Sequence, residues 1–265
     1  MQGFSRAPDG RIRDIFEEPR RSKLILKVRQ EYSPTVQVDK LRRAREPVSR
    51  SKCTVQGKVA DVFAGRSRHA ESQNELKAFR VLMATGRPDA WQEQPFRLEY
   101  HHERARHCYT PDILVVWASH QEVVEIKEDS DAESPENRTR FPLIRELLAE
   151  HGFYFRVWKK SEICAEPRLA NAALILRYRS VTVSAAHAEA IRRTFSLSQE
   201  LPLRTFCEHP GGVQSVLRLV LDGKLHIDYW EPLSLDSRIS NTPIGRQIWP
   251  FPPSAIPECL CPCTH

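Results

Sequence analysis

Two acidic residues and a lysine stand at the ends of two short apolar segments between Tyr109 and Lys127. Asp112 follows a proline and precedes the run Ile-Leu-Val-Val-Trp, and Glu125 and Lys127 close the segment Glu-Val-Val-Glu-Ile-Lys. Residues two apart on a strand point to the same face, so Glu125 and Lys127 would lie side by side. Carboxylates at a strand end beside a lysine are suited to hold a divalent cation and an attacking water.

Hydrolysis of a phosphodiester is the reaction that these residues would support. It needs a positioned water, neutralisation of the charge that develops on the phosphate, and help for the leaving oxygen, and bound Mg²⁺ supplies much of this. Mg²⁺ prefers oxygen ligands, commonly one or two carboxylates with several waters. We expect Asp112 and Glu125 to bind the metal with the Ile126 carbonyl as a further ligand. Lys127 would activate the water or stabilise developing charge.

A third acid, Glu75, lies on a segment with helical periodicity. The apolar residues of this segment are Leu76, Phe79, Leu82 and Met83. Glu75 falls within their stripe, and a buried carboxylate must be paired, protonated or bound to a metal. We therefore expect Glu75 to complete the metal shell or to orient a water, with Glu71 one turn earlier as the alternative acid.

Residues 68–180 alternate between helical and strand patterns, which predicts an α/β domain. A helix is expected from Arg68 to the Gly-Arg-Pro sequence at 86–88. Strands are expected at 94–100, 112–117, 122–127 and 153–158, and further helices at 137–151 and 167–178. The connection between the second and third strands is short enough for an antiparallel hairpin.

The pattern changes after residue 180. Three short helices at 185–195, 198–206 and 212–221, followed by a strand at 224–229, are typical of a winged-helix-like module. We therefore divide the chain into a basic, partly extended arm (1–67), the α/β domain (68–180), a winged-helix-like C-terminal domain (181–239) and a Pro/Cys-rich tail (240–265). Arginines of the C-terminal module offer either a DNA contact or a docking surface for a partner protein.

The net charge of +6 favours an anionic partner, with nucleic acid first. The excess of positive charge lies in residues 1–70, which hold 17 Lys and Arg against 8 Asp and Glu. We expect this arm to contact phosphates, with a solvated and partly disordered arm as the alternative. A secretory signal and a membrane-spanning run are not recognisable, and seven scattered cysteines argue against a disulfide framework. The expected location is the cytoplasm, with no membrane partner.

The end of the chain holds four potential zinc ligands. They are Cys259, Cys261, Cys263 and His265. Their alternate spacing strains tetrahedral coordination, so a reduced tail is expected rather than a structural zinc site. Histidines 101, 102 and 107 are expected to be polar residues of strand ends rather than metal ligands.

The order of Glu75, Pro111-Asp112 and Glu125-Ile126-Lys127 resembles the PD-(D/E)xK motif of restriction-endonuclease-like nucleases. More narrowly, the chain resembles TnsA, the endonuclease subunit of heteromeric bacterial transposases. The matching stretches are residues 72–79, 92–95, 109–115, 124–127 and 217–233. The resemblance spans about residues 68–233 and leaves out the arm and the tail.

The resemblance implies a restriction-endonuclease-like mixed sheet flanked by helices. It implies a Mg²⁺-dependent endonuclease, with Mn²⁺ as a substitute, that cleaves the 5′ ends of a transposon in double-stranded DNA. A TnsB-like transposase would cut and join the 3′ ends, and a TnsC-like AAA+ regulator would bind the C-terminal part. The expected place of action is the bacterial nucleoid. The resemblance places four residues on the family's catalytic positions: Glu75, Asp112, Glu125 and Lys127. Gln94 is expected at most to contact these residues, without binding the metal or substrate.

Two other functions fit parts of the same pattern. One is a stand-alone PD-(D/E)xK restriction or repair nuclease that uses the same residues and cuts DNA without partners. The other is a non-catalytic DNA-binding adaptor of a transposition complex, in which the acidic residues no longer support cleavage. The nuclease would require Lys127 and a divalent metal for DNA processing, whereas the adaptor would require neither.

Overall fold

The computed structural model describes residues 57–61, 65–86, 88–102, 105–117 and 120–244, and the backbone of residues 35–38. The predicted phosphate contacts of residues 1–34 and 39–56 lie outside the described residues, as do the four potential zinc ligands of the tail. Contacts divide the chain into two compact units. The first unit holds residues 1–55 and 88–160, and the second holds 56–87 and 161–265. The predicted domain boundaries stay a prediction.

Strands and helices alternate along the described chain, which confirms the α/β class. The strands are β1 (Thr35–Val38), β2 (Gly57–Asp61), β3 (Arg66–Ala70), β4 (Ala90–Glu93), β5 (Phe96–His102), β6 (Ala105–Tyr109), β7 (Ile113–Val116), β8 (Gln121–Lys127), β9 (Phe153–Lys159), β10 (Glu200–Pro202), β11 (His226–Ile227) and β12 (Arg238–Ser240). The α-helices are α1 (Gln73–Val81), α2 (Asp129–Ala132), α3 (Pro135–Ala149), α4 (Lys160–Ile163), α5 (Arg168–Ile175), α6 (Ala185–Thr194) and α7 (Gly212–Leu221). A π-helical turn covers Leu82–Gly86, and 3₁₀ turns cover Leu176–Tyr178 and Leu203–Phe206.

The first unit is built on a mixed four-stranded sheet in the order β4-β7-β8-β9. Strands β4, β7 and β8 pair antiparallel, whereas β8 and β9 pair parallel. The antiparallel β7–β8 hairpin confirms the predicted pairing of the two strands that flank Asp112 and carry Glu125. A parallel neighbour needs a crossover connection, and α3 lies in that connection. A second, antiparallel sheet has the order β1-β5-β6.

The hydrophobic core of the first unit shows which face of the sheet α3 covers. Leu114 and Val116 of β7, Val123 of β8 and Phe155 of β9 belong to one core with Phe141, Ile144 and Leu148 of α3. Side chains alternate between the two faces of a strand. Even-numbered positions of β7 and odd-numbered positions of β8 therefore face α3. This alternation places Asp112, Glu125 and Lys127 on the α3 face.

The second unit combines helices with two small sheets. Strands β2 and β3 form a hairpin, and its buried ion pair joins Arg68 Nε to Asp61 Oδ2 at 2.9 Å. Helix α1 packs against α5. Strands β10, β12 and β11 form an antiparallel sheet in that order. Among the described residues, no helix is long and apolar enough to cross a membrane.

Two predicted helices differ from the structure. Residues 66–70 form β3, because they pair with β2, and the following helix begins after the N-cap Ser72 rather than at Arg68. Residues 198–206 form β10 and a 3₁₀ turn instead of an α-helix. Pro202 explains this, since proline lacks the N–H that a helix interior needs and favours extended backbone before it. The helices at 185–195 and 212–221 are confirmed by α6 and α7, while the winged-helix-like arrangement stays a prediction.

Candidate active site

The β7–β8 pairing brings two of the predicted metal ligands together. Ile113, the first residue of β7, lies opposite Val124 of β8, and Asp112 directly precedes Ile113. Asp112 Oδ2 also accepts a hydrogen bond from the backbone N–H of Ile126 at 2.6 Å. Both carboxylates therefore lie at the same end of the hairpin, on the face that α3 covers.

Glu125 is a buried carboxylate with a partner on each oxygen. It is 3% exposed. Its Oε1 lies 2.8 Å from Lys127 Nζ, and its Oε2 accepts a hydrogen bond from the Tyr109 hydroxyl at 2.7 Å. A buried charge is tolerated when it is paired and hydrogen-bonded in this way. The Lys127 side chain is 28% exposed, so this cation lies between the buried carboxylate and solvent.

Electrostatics keeps Lys127 protonated. Burial is the largest single influence and lowers the pKa of Lys127, but the attraction and hydrogen bond of Glu125, with the charge of Asp112, raise it above the ordinary value. Burial also raises the pKa of Tyr109 well above its usual range, and the nearby Glu125 and Asp112 charges raise it further. At neutral pH, Lys127 is thus a cation and Tyr109 a neutral hydrogen-bond donor.

Gln94 lies beside Asp112 at the end of β4. Its backbone N–H donates to the Asp112 carbonyl at 2.9 Å. Gln94 has φ of 44°, a left-handed conformation that is uncommon for residues other than glycine. Gln94 is 4% exposed, and among the described residues its buried Oε1 has no hydrogen-bond partner. A strained backbone beside an unsatisfied polar atom is typical of functional sites.

Glu75 is buried, as its place in the apolar stripe predicts, at 8% exposure. Its Oε1 accepts from the Ser72 hydroxyl and its Oε2 from the Glu71 backbone N–H, each at 2.9 Å. Ser72 in turn accepts from the Glu75 backbone N–H at 3.1 Å. This reciprocal arrangement is a capping pattern that satisfies the start of α1. Glu75 belongs to the second unit, and its role in metal binding stays a prediction.

The donor set of the hairpin end fits Mg²⁺ or Mn²⁺. Among the described residues, no group of three or more His, Cys, Asp or Glu side chains forms a metal cluster. Closed zinc sites use four protein ligands, usually Cys and His. Mg²⁺ instead keeps several waters and needs only one or two carboxylates. Asp112 and Glu125 offer two carboxylates at the same end of the hairpin, and their binding of a metal, with the Ile126 carbonyl, stays a prediction.

Two residues of this site had no assigned role in the sequence. Tyr109 lies within the Tyr-Thr-Pro-Asp stretch, but its hydrogen bond to Glu125 joins residues 16 positions apart, on β6 and β8. Arg140 lies on α3 with its guanidinium carbon 5.5 Å from the centre of the Tyr109 ring. An amphipathic helix pattern predicts which residues of α3 are buried but not which ring an arginine at the stripe's edge covers.

Residues 89–160 match the family model described as TnsA-like endonuclease N terminal. The matched segment runs from the start of β4 past the end of β9, so it contains Asp112, Glu125 and Lys127, whereas Glu75 precedes it. This match confirms the TnsA-like resemblance over residues 89–160. No curated protein gives a significant match to the chain.

Proposed function

We propose that this chain, whose residues 89–160 match the TnsA-like endonuclease family, is the DNA-cleaving subunit of a heteromeric transposase. The observation that carries the proposal is the 2.6 Å hydrogen bond from the Ile126 N–H to Asp112 Oδ2, which sets this carboxylate beside the Glu125–Lys127 pair inside the matched segment. The subunit would hydrolyse a phosphodiester at the 5′ end of each transposon strand. It would act at the nucleoid in the bacterial cytoplasm.

Asp112 and Glu125 are the proposed carboxylate ligands of Mg²⁺, with the Ile126 carbonyl as a further oxygen donor. Bound Mg²⁺ supplies Lewis-acid polarisation of the phosphate and a more acidic water. Tyr109 holds Glu125 in place through its 2.7 Å hydrogen bond. We propose that Glu75 contributes from α1, either to the metal shell or to the orientation of water.

Lys127 is proposed to activate the attacking water or to stabilise the charge that develops on the phosphate. Its amine lies 2.8 Å from Glu125 Oε1, on the same face as the proposed metal ligand. An amine at this position can donate hydrogen bonds to a water or to a phosphate oxygen. Such a donor stabilises charge that develops during cleavage.

The proposed partners follow from the TnsA-like assignment. A TnsB-like transposase would cut and join the 3′ ends at the same DNA, and a TnsC-like AAA+ regulator would bind the C-terminal part of this chain. The recognition of transposon ends would then be shared with the transposase. This division of labour explains how one nuclease site can serve a defined DNA end.

The test is cleavage of duplex DNA that carries a transposon end, with the partner transposase and Mg²⁺ present. We expect Asp112→Asn to abolish 5′-strand cleavage while the partner's 3′-strand cleavage continues. Asp131→Asn is the matched control, because Asp131 is an exposed aspartate of α2 in the same unit. Full 5′-strand cleavage by Asp112→Asn would contradict the proposal. Strong cleavage by the chain alone would instead favour a stand-alone nuclease.

A further inference from the structure

Arg140 lies at the edge of the buried stripe of α3. The buried residues of this helix are Asn137, Phe141, Ile144 and Leu148. Arg140 precedes Phe141, and its guanidinium carbon lies 5.9 Å from the Phe141 ring centre and 5.5 Å from the Tyr109 ring centre. The side chain is 34% exposed. The guanidinium is therefore fixed between two rings and still reaches solvent.

One donor of Arg140 is unsatisfied in the part of the chain that the structure describes. There, its buried Nε has no hydrogen-bond partner. Its ion pair with Glu136 spans 4.0 Å and involves a glutamate side chain that is 82% exposed. Exposed pairs of this kind on one helix contribute little to stability. A half-buried arginine that is held in place without a close carboxylate is suited to receive an external anion.

A chain of contacts connects Arg140 to the proposed nuclease site. The ring beneath its guanidinium belongs to Tyr109, whose hydroxyl donates to Glu125 Oε2. The other oxygen of Glu125 pairs with Lys127 Nζ at 2.8 Å. Arg140 is therefore linked to the buried carboxylate through the Tyr109 ring, whereas Lys127 pairs with that carboxylate directly. Two cations around paired metal-binding carboxylates form a suitable frame for a phosphate.

We propose that Arg140 binds the non-bridging oxygens of the phosphodiester that is cleaved, opposite Lys127. This inference rests on the proposed function and names a substrate-binding residue that the PD-(D/E)xK pattern does not contain. A planar guanidinium offers two parallel N–H donors to a phosphate, so it fixes the orientation of the group as well as its charge. Tyr109 holds Glu125 with its hydroxyl and supports Arg140 with its ring, so it couples the metal ligand to the phosphate ligand.

The test combines an Arg140 variant with a DNA duplex in which the cleaved phosphate is replaced by a neutral group. The cleaved position is first mapped on a transposon-end duplex with the wild-type chain, the partner transposase and Mg²⁺. A second duplex carries a neutral methylphosphonate at that position, and binding of both duplexes to the chain–transposase complex is measured without divalent metal. Arg140→Gln is compared with Arg145→Gln. Arg145 is a matched control, because it is an exposed arginine of α3 that lies 5.9 Å from the Phe155 ring.

The affinity for the natural duplex divided by the affinity for the methylphosphonate duplex measures the contact between Arg140 and the charged phosphate. We expect Arg140→Gln to lower the preference for the natural phosphate about tenfold relative to wild type, as expected for loss of one charge-assisted pair. Arg145→Gln should leave the ratio unchanged. An unchanged ratio in Arg140→Gln, with normal wild-type cleavage, would overturn this inference alone. Failure of the wild-type complex to cleave the 5′ strand would overturn the proposed function, and this inference with it.

Discussion

Removal of the Tyr109 hydroxyl is expected to weaken the first unit through a single hydrogen bond. Tyr109→Phe keeps the ring beside Phe155 and beneath Arg140, and it deletes the donor that lies 2.7 Å from Glu125 Oε2. Tyr109 and Glu125 are each 3% exposed, so water has little access to replace the donor. Lys127 still pairs with Glu125 Oε1, which limits the loss in the free energy of unfolding. A hydrogen bond to a charged group in such a setting contributes about 1.5–3 kcal/mol.

A double-mutant cycle measures this contribution without the side effects of either substitution. The free energy of unfolding in urea is determined at neutral pH for wild type, Tyr109→Phe, Glu125→Leu, which removes both acceptor oxygens, and the double variant. We expect a coupling energy of about 1.5 kcal/mol or more. Tyr154→Phe is the control partner, because Tyr154 is a half-buried tyrosine of β9 whose ring contacts His120 rather than Glu125. A Tyr109–Glu125 coupling as small as that of the control would refute the assignment of Tyr109 as the residue that holds Glu125.

Two further predictions concern stability away from the proposed site. Burial lowers the pKa of His120, so the unfolded chain binds its proton more readily, and the free energy of unfolding should fall as the pH drops through about 6.5, the usual histidine value. His120→Gln should make urea unfolding less sensitive to this pH change, and an unaltered pH dependence would contradict the prediction. Arg218 Nη1 donates to the carbonyls of Arg179 and Val181, so Arg218→Met should cost about 1.5–3 kcal/mol in urea unfolding. Arg192→Met is the control, because this side chain is 72% exposed, and it should lower the free energy of unfolding by about 1 kcal/mol or less. Equal losses in the two variants would argue against the Arg218 contacts.

Short-range patterns predicted the part of the site that lies on the β7–β8 hairpin. The apolar runs beside Asp112 and Glu125, joined by a short turn, define both strands and their antiparallel pairing. The two-residue period then places Glu125 and Lys127 on one face. The helical stripe around Glu75 likewise predicted its burial. These features depend on neighbours in the sequence, and that is why they could be predicted.

The remaining features depend on contacts between distant segments. Residues 66–70 extend a helical pattern in sequence, but pairing with β2 makes them a strand. Tyr109 and Glu125 are 16 positions apart, and their hydrogen bond forms only in the folded chain. Arg140 reaches the Tyr109 ring because α3 crosses over the sheet between β8 and β9. Tertiary packing overrides local propensity at each of these places.

The most direct measurement of the central claim is metal binding by the purified chain, because it requires neither a partner nor the correct DNA. Binding of Mn²⁺ is followed by the loss of the free-ion signal in electron paramagnetic resonance. Asp112→Asn and Glu125→Gln remove the two carboxylates, and Glu122→Gln removes a buried glutamate of β8 that faces away from α3. We predict that wild type and Glu122→Gln bind Mn²⁺ and that Asp112→Asn and Glu125→Gln bind it far more weakly. Equal binding by all four chains would contradict the assignment of Asp112 and Glu125 as the metal ligands.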